Sequence, residues 1–156
     1  MLTFPYQDEA ISGSPPPSLP SSALVRWRPL LPIVLFGPTG QRQLFLRALV
    51  DTGSDETVFP MAMALSLGIN LHPQTSHGLR WRGQGYPLRF GAAALELTDG
   101  IRTMRWNAVV GFSPAPIRYP LLGLAGCLQF FDVRFRGADR LVEIAPNFAY
   151  TGTVNP

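Results

Sequence analysis

The sequence contains no lysine, so all 13 of its basic residues are arginine. Ten acidic residues leave a net charge of +3, and only 15% of the chain is charged. This excess of positive charge is too small to predict a nucleic-acid-binding protein. The missing lysine itself indicates a bias in composition, and we attach no function to it.

Cysteine is almost absent, because Cys127 is the single thiol of the chain. One cysteine excludes an internal disulfide framework and a zinc site built on several cysteines. Cys127 lies among leucine, alanine and phenylalanine, which predicts a small core residue and disfavours a nucleophile. His72 and His77 lie in a polar segment without cysteine or carboxylate at ligand spacing, so we expect no metal.

Long hydrophobic runs are also missing, since no apolar stretch reaches the roughly 18 residues of a membrane helix. The first residues lack the basic and apolar regions of a signal peptide. We therefore expect a cytoplasmic protein without membrane or nucleic-acid partners. What is present is 46% hydrophobic residues in 156, enough for the core of one domain. The 15 glycines and 16 prolines favour turns and short strands over long helices.

The pattern along the chain predicts one mainly β domain over residues 23–148. Residues 1–22 are rich in proline and serine and are expected to form a flexible tail, and residues 149–156 a second tail. Strands are predicted over residues 24–28, 33–36, 44–50, 132–135 and 141–144, with hairpins over 79–90 and 93–110 and short helices over 60–67 and 124–130. The run 44–50 is nearly all apolar, with Arg47 as the exception, which predicts a strand covered on both sides.

Three local details follow from the same pattern. Asp99-Gly100 fits the two-residue type I′ turn of a hairpin. The triplets Arg26-Trp27-Arg28 and Arg80-Trp81-Arg82 predict strands with tryptophan inward and arginine outward. Base stacking by these triplets is the competing interpretation.

The segment Asp51-Thr52-Gly53-Ser54 places a carboxylate directly after a buried strand. Gly53 permits a tight turn, and Thr52 and Ser54 can fix the loop by hydrogen bonds. A calcium loop is excluded, because Gly53 and Ala62 occupy positions where ligands are required. A phosphate-binding P-loop is excluded, because its Gly-Lys-Ser/Thr ending is missing. An ordinary turn after a strand remains open.

A second motif, Leu121-Leu122-Gly123, follows further along the chain. An apolar strand, Asp-Thr-Gly-Ser and then this motif, in that order, resemble the retropepsin-like aspartic proteases, in particular their small prokaryotic single-domain members. The Pro60 helix that ends in Leu67-Gly68, and residues 130–135, add to the resemblance, which runs from about residue 28 to 147. It implies a retropepsin-like closed barrel or sandwich with one or two short helices.

The resemblance also implies an activity, hydrolysis of peptide bonds by a water molecule activated between two aspartates that share a proton. The chain has one Asp-Thr-Gly, so two protomers of a homodimer would each supply Asp51 as the catalytic residue. In such a dimer Thr52 would link the two loops, Gly53 would contact the substrate backbone, and Ser54 would hydrogen-bond the outer carboxylate oxygen. No cofactor is implied.

Further candidates surround this loop. Asp55 and Glu56 are candidate substrate-binding residues, with a solvated loop face as the alternative. Gly83-Gln84-Gly85 would be the flap over the substrate, or an ordinary hairpin turn. Trp81 would pack behind such a flap or fill the core, and the core is the favoured interpretation.

The retroviral members of this family have an arginine directly after the glycine of the second motif, where it pairs with an acidic residue shortly after the catalytic loop. In this sequence that position is Leu124. Asp55 would therefore need another partner, such as Arg118 or an arginine of a second chain. This departure keeps a second hypothesis open, a domain of the same fold that binds or scaffolds without cutting. A basic β-barrel that binds nucleic acid is the third and least favoured hypothesis.

Overall fold

The computed structural model describes residues 1–72 and 78–156. Within them the chain forms fourteen strands, one α-helix and one 3₁₀ helix. The strands are β1 (Leu2–Pro5), β2 (Gln7–Ala10), β3 (Val25–Arg28), β4 (Leu30–Phe36), β5 (Arg42–Val50), β6 (Val58–Pro60), β7 (Gly78–Trp81), β8 (Gln84–Pro87), β9 (Arg89–Thr98), β10 (Thr103–Ser113), β11 (Leu121–Leu122), β12 (Phe131–Arg136), β13 (Leu141–Pro146) and β14 (Thr153–Asn155). Helix α1 spans Met61–Ser66, and the 3₁₀ helix spans Leu128–Phe130.

Six strands close into a barrel, in the order β10-β6-β11-β5-β4-β9, and β9 pairs back onto β10. The β9–β10 hairpin is the longest antiparallel ladder, and β6 and β11 join the barrel through parallel pairs with β10 and β5. The prediction of a mainly β protein is therefore confirmed. No helix in the described residues is both long and apolar enough to cross a membrane.

The barrel encloses the main hydrophobic core. The largest side chains in it are aromatic: Phe59 and Phe112 lie with ring centroids 6.2 Å apart, and Trp106 meets Phe131 edge-on at 5.0 Å. The Trp106 indole N–H donates to the carbonyl of Gly126 at 2.9 Å, so this buried donor is satisfied.

Strand β5 contains a β-bulge. Leu31 pairs with Ala48, but Ile33 pairs with Phe45, so β5 carries one residue more than β4 over this stretch. An extra residue reverses which side chains face the core. Beyond the bulge Ala48 and Val50 are buried in the barrel, and the alternation places Leu49 and Asp51 on its outer side.

The bulge also explains why one expectation is wrong. Leu44 and Leu46 have the same parity as Ala48 and Val50, yet they are exposed because they lie before the bulge. The run 44–50 is therefore not covered on both faces.

A second, smaller cluster of buried side chains lies on the outer side of the barrel. It consists of Val58, Leu88 and Leu121, with Leu49 and Leu79 packed against it. Leu79 comes from β7, so the hairpin β7–β8 is held over the end of the barrel where β5 and β11 finish.

The N-terminal residues differ from the expected flexible tail. Strand β1 pairs with β13 in a three-stranded sheet with β12, and Leu2 and Phe4 enter the main core. Strand β2 pairs with β3 through the register Glu9 to Arg26. The alternation Leu2-Thr3-Phe4 is the signal of a half-buried strand, which the proline-rich composition of residues 12–22 obscured. The C-terminal residues are also paired, because β14 pairs with β10.

Several local predictions are confirmed and others need correction. The helix after Pro60 is present, and Gly68 follows it with a φ of 63°. The helix expected over residues 124–130 is wrong, since only the 3₁₀ turn Leu128–Phe130 forms. The hairpin over 93–110 is present, but its loop spans residues 99–102, where the Asp99 carboxylate accepts the N–H groups of Ile101 and Arg102.

The first arginine–tryptophan triplet is oriented opposite to the prediction. Trp27 is 44% exposed, and the Arg140 guanidinium carbon lies over its ring, 4.4 Å from the ring centroid of Trp27. Arg26 and Arg28 instead turn toward the buried carboxylate of Glu9. The contacts of these arginines with buried Glu9 on the neighbouring strand thus decide which face of β3 turns inward, although burial of tryptophan would favour the opposite face.

Candidate active site

Asp51 lies at the end of the barrel where two parallel strands finish. Leu49 and Val50 of β5 pair with Leu121 and Leu122 of β11, and the Asp51 N–H donates to the Leu122 carbonyl at 3.1 Å. The two motifs that the sequence singled out are therefore neighbours in space, since Asp51 and Gly123 each follow one strand of this pair.

The loop after Asp51 is fixed by its own hydrogen bonds. The Gly53 N–H donates to Oδ1 of Asp51 at 3.0 Å, and the Ser54 N–H donates to the Asp51 carbonyl at 3.2 Å. The Ser54 hydroxyl donates to the Glu56 carbonyl at 2.7 Å. The expectation that Ser54 would hydrogen-bond the Asp51 carboxylate is therefore corrected, because its only hydroxyl proton is used elsewhere. Thr52 and Gly53 are exposed.

Gly123 is the point where the second motif touches this loop. A Cβ atom at this residue would lie 2.2 Å from the Glu56 carbonyl oxygen and 2.7 Å from that of Ser54. Any side chain is therefore excluded while the two backbones stay this close. This close approach lets the Leu124 N–H donate to the Ser54 backbone carbonyl at 2.9 Å and the Ala125 N–H donate to the Asp55 backbone carbonyl at 2.8 Å.

Thr57 closes the other end of the loop and was missed by the sequence prediction. Its N–H donates to the Ala125 carbonyl at 2.9 Å, and its carbonyl accepts from the Gly111 N–H at 2.8 Å. The side chain is fully buried, and its hydroxyl lies 3.4 Å from the Gly123 carbonyl oxygen. A polar residue directly before the buried pair Val58-Phe59 was the available signal.

The acidic residues after Ser54 face outward. Asp55 is exposed and Glu56 is half-buried, and within residues 1–72 and 78–156 neither takes part in an ion pair. The suggested partner of Asp55, Arg118, instead contacts Glu9 at 3.1 Å. Because Asp55 is solvated, it carries no burial penalty that a partner would have to offset. Leu124, beside this loop, is 56% exposed.

The flap candidate is a β-hairpin, as predicted, with its turn one residue earlier. Arg82 and Gly83 have φ values of 49° and 80°, the two positive angles of a type I′ turn. Gln84 and Gly85 belong to β8, where they pair with Trp81 and Arg80. All three flap candidates, Gly83, Gln84 and Gly85, are exposed.

Trp81 does not enter the core, contrary to the prediction. Together with Arg82 it lines a cavity that also touches Leu49 and Leu121, which lie two residues before Asp51 and Gly123. The hairpin tip is therefore held next to the strands that carry Asp51.

Cys127 and the histidines were the remaining candidates. Cys127 is 1% exposed, as predicted for a core residue, and its burial raises the pKa of the thiol to about 12. His72 is exposed, while His77 lies outside the described residues. Among the residues that the structure does describe, no three histidine, cysteine or acidic side chains come together to hold a metal ion.

No protein-family model matches the chain, and no curated protein matches it.

Proposed function

We propose that this protein is an aspartic endopeptidase of the retropepsin-like kind, active as a homodimer. The observation that carries the proposal is the contact between the two motifs: the Asp51 loop and the Gly123 segment approach within a distance that only glycine permits. Such a contact fixes Asp51 at the mouth of the barrel, with its carboxylate held by the Gly53 N–H.

The chemistry follows from what one Asp51 lacks. One carboxylate can accept a proton from water, but polarising the scissile carbonyl needs a second, protonated group. The chain has a single Asp-Thr-Gly, so the second group would be Asp51 of a partner protomer. Two carboxyl groups at close range share one proton, and they titrate as a pair.

The reaction would then divide the two roles between the protomers. The ionised Asp51 takes a proton from water, which attacks the peptide carbonyl, and the protonated Asp51 donates a hydrogen bond to the carbonyl oxygen. The exposed Gly53 and the hairpin β7–β8 are the groups placed to contact the substrate backbone.

A peptide-library cleavage assay at pH 4 to 7 tests this proposal with wild type, Asp51→Asn and Asp132→Asn. Asp132 is an exposed carboxylate on β12 and serves as the matched control. We expect cleavage by wild type and by Asp132→Asn, and a loss of at least about a hundredfold for Asp51→Asn. Equal cleavage by wild type and Asp51→Asn would refute the assignment.

The same proteins test the shared site. Activity per protomer should rise with protomer concentration, because mass action assembles the dimer. Adding excess Asp51→Asn protein to a fixed amount of wild type should lower the rate, since mixed dimers carry one catalytic aspartate. If the rate per wild-type protomer changes neither with protomer concentration nor with added Asp51→Asn protein, an active site built from two chains is excluded.

The alternative is a domain of this fold that binds peptides without cutting them. The observation that favours it is Leu124, an exposed apolar residue where the retroviral pattern has arginine. A dimeric sample, shown by light scattering, that cleaves no peptide between pH 4 and 7 would support this alternative.

A further inference from the structure

A cavity of about 270 Å³ lies between the tip of the hairpin β7–β8, the N-terminal hairpin β2–β3 and the segment before β11. We call it the arginine pocket, because four of the residues that line it are Arg26, Arg28, Arg82 and Arg118. Glu9 is the only acid among the described residues of its lining, so these residues carry a net charge of +3. We propose that the arginine pocket binds an acidic side chain of the peptide substrate. This inference rests on the proposed function.

Glu9 organises the pocket without neutralising it. The side chain is 1% exposed and accepts from Arg26 at 2.5 Å, from Arg28 at 3.1 Å and from Arg118 at 3.1 Å. Each guanidinium has five N–H donors and uses one of them on Glu9. Three arginines are thus held beside the cavity, and each has N–H donors beyond the one that Glu9 accepts.

Arg82 adds a charge that Glu9 does not engage. It occupies the first position of the hairpin turn, with a φ of 49°, and it forms no ion pair within the described part of the chain. A carboxylate entering the pocket would meet this guanidinium from the hairpin side and Arg118 from the barrel side.

Tyr119 is a second polar residue of the pocket that is not paired with Glu9. It is one of the residues that line the pocket, and its hydroxyl is buried without a hydrogen-bond partner among the described residues. A buried hydroxyl without a partner is unfavourable, so native proteins rarely leave one. An acceptor atom that reaches this hydroxyl would satisfy it.

The place and size of the pocket suit one side chain of a bound peptide. Leu49, in its wall, is two residues before Asp51, and two strand residues span roughly 7 Å. Sites for whole small molecules usually enclose roughly 300–1,000 Å³, more than this cavity holds. Trp81, Leu49 and Leu121 offer apolar surface to the methylene groups of a glutamate, and the arginines offer donors to its carboxylate.

Peptide binding to Asp51→Asn protein tests the pocket without cleavage. The probes are fluorescent octapeptides of neutral sequence in which one glutamate is moved along the chain, each matched by a peptide with glutamine. We expect fluorescence anisotropy to show one position where glutamate binds at least about tenfold more tightly than glutamine, the usual strength of a charge-assisted hydrogen bond. The preference should vanish below about pH 4, where the peptide carboxylate is protonated.

Variants on the Asp51→Asn background assign the preference to the pocket. Arg82→Gln and Tyr119→Phe leave the contacts of Glu9 intact, and each should reduce the preference severalfold. Arg134→Gln, an exposed arginine on β12, should leave it unchanged. A preference that survives both pocket changes, or the absence of any glutamate preference, would overturn the inference.

Cleavage by wild type separates this inference from the protease proposal. Hydrolysis without a glutamate preference would refute the pocket and leave the protease standing. A glutamate preference in binding, with no hydrolysis by a dimeric wild type, would leave the pocket standing and refute the protease.

Discussion

Replacing Gly123 with alanine tests the contact on which the candidate site depends. The added Cβ would lie 2.2 Å from the Glu56 carbonyl oxygen, 2.6 Å from its carbonyl carbon and 2.7 Å from the Ser54 carbonyl oxygen. All three atoms are backbone, so no side chain can rotate away to relieve the contact. One of the two segments must therefore move.

The free-energy cost of that movement has two parts, overpacking and the weakening of two hydrogen bonds. Overpacking typically costs about 1–3 kcal/mol. Separation of the segments also weakens the hydrogen bonds from Leu124 to Ser54 and from Ala125 to Asp55, each with a net value of about 0.5–1.5 kcal/mol. We expect Gly123→Ala to lower the free energy of unfolding by about 2–6 kcal/mol. For a chain of this size that is a fall in Tm of roughly 4–24 °C.

Urea unfolding followed by circular dichroism measures this loss, with Gly137→Ala as the matched control. Gly137 lies in a turn with no atom within 4 Å of an added Cβ and without a positive φ, so its replacement should change stability by less than about 0.5 kcal/mol. Equal stabilities of the two variants would refute the argument that close approach makes glycine obligatory at residue 123.

Two further predictions concern buried ionisable groups. Burial raises the pKa of Glu9, but hydrogen bonds from Arg26 and Arg28 outweigh it and leave the pKa below its usual 4.5. The stabilisation by Glu9 should thus be present in full above about pH 4.5 and be lost as pH falls through the lower folded-state pKa. Glu9→Gln should lower the free energy of unfolding by about 1–3 kcal/mol at pH 7, which is less than for a fully buried pair because the arginines are partly solvated. The loss should be smaller at pH 3. An equal loss at both pH values in urea unfolding would contradict this. Cys127, with its pKa raised to about 12 by burial, should resist a thiol reagent at pH 8 and react only in denaturant, whereas prompt labelling of the folded protein would show that it is accessible.

Local patterns predicted much of the fold, because each depends on residues close in sequence. The helix after Pro60, the hairpin over 93–110 and the strands of β12 and β13 follow from alternation, proline and glycine positions. The expected second helix failed for a tertiary reason. Gly126 has a φ of 86°, and Leu124 and Ala125 donate their N–H groups to the Asp51 loop, so the segment is held in a non-helical path.

The candidate site was predictable in its residues but not in its bonding. The order of the two motifs located Asp51 and Gly123, and the parallel pair β5–β11 brings them together. The hydroxyl of Ser54, by contrast, has several acceptors within reach of one loop, and only the folded geometry selects the Glu56 carbonyl. The sequence could not reveal that Arg118 forms an ion pair with Glu9, because the two residues are distant in sequence.

The N-terminal residues show how composition can conceal part of a folded unit. Leu2 and Phe4 are buried in the main core, and burying each contributes about 1.5–3 kcal/mol. Together they supply a large share of the roughly 5–15 kcal/mol by which a domain is usually stable. Glu9, in the next strand, holds three arginines beside the strands that carry Asp51. The first ten residues are thus part of the barrel's support and of the pocket next to the candidate site, and a boundary drawn at the proline-rich segment would divide both.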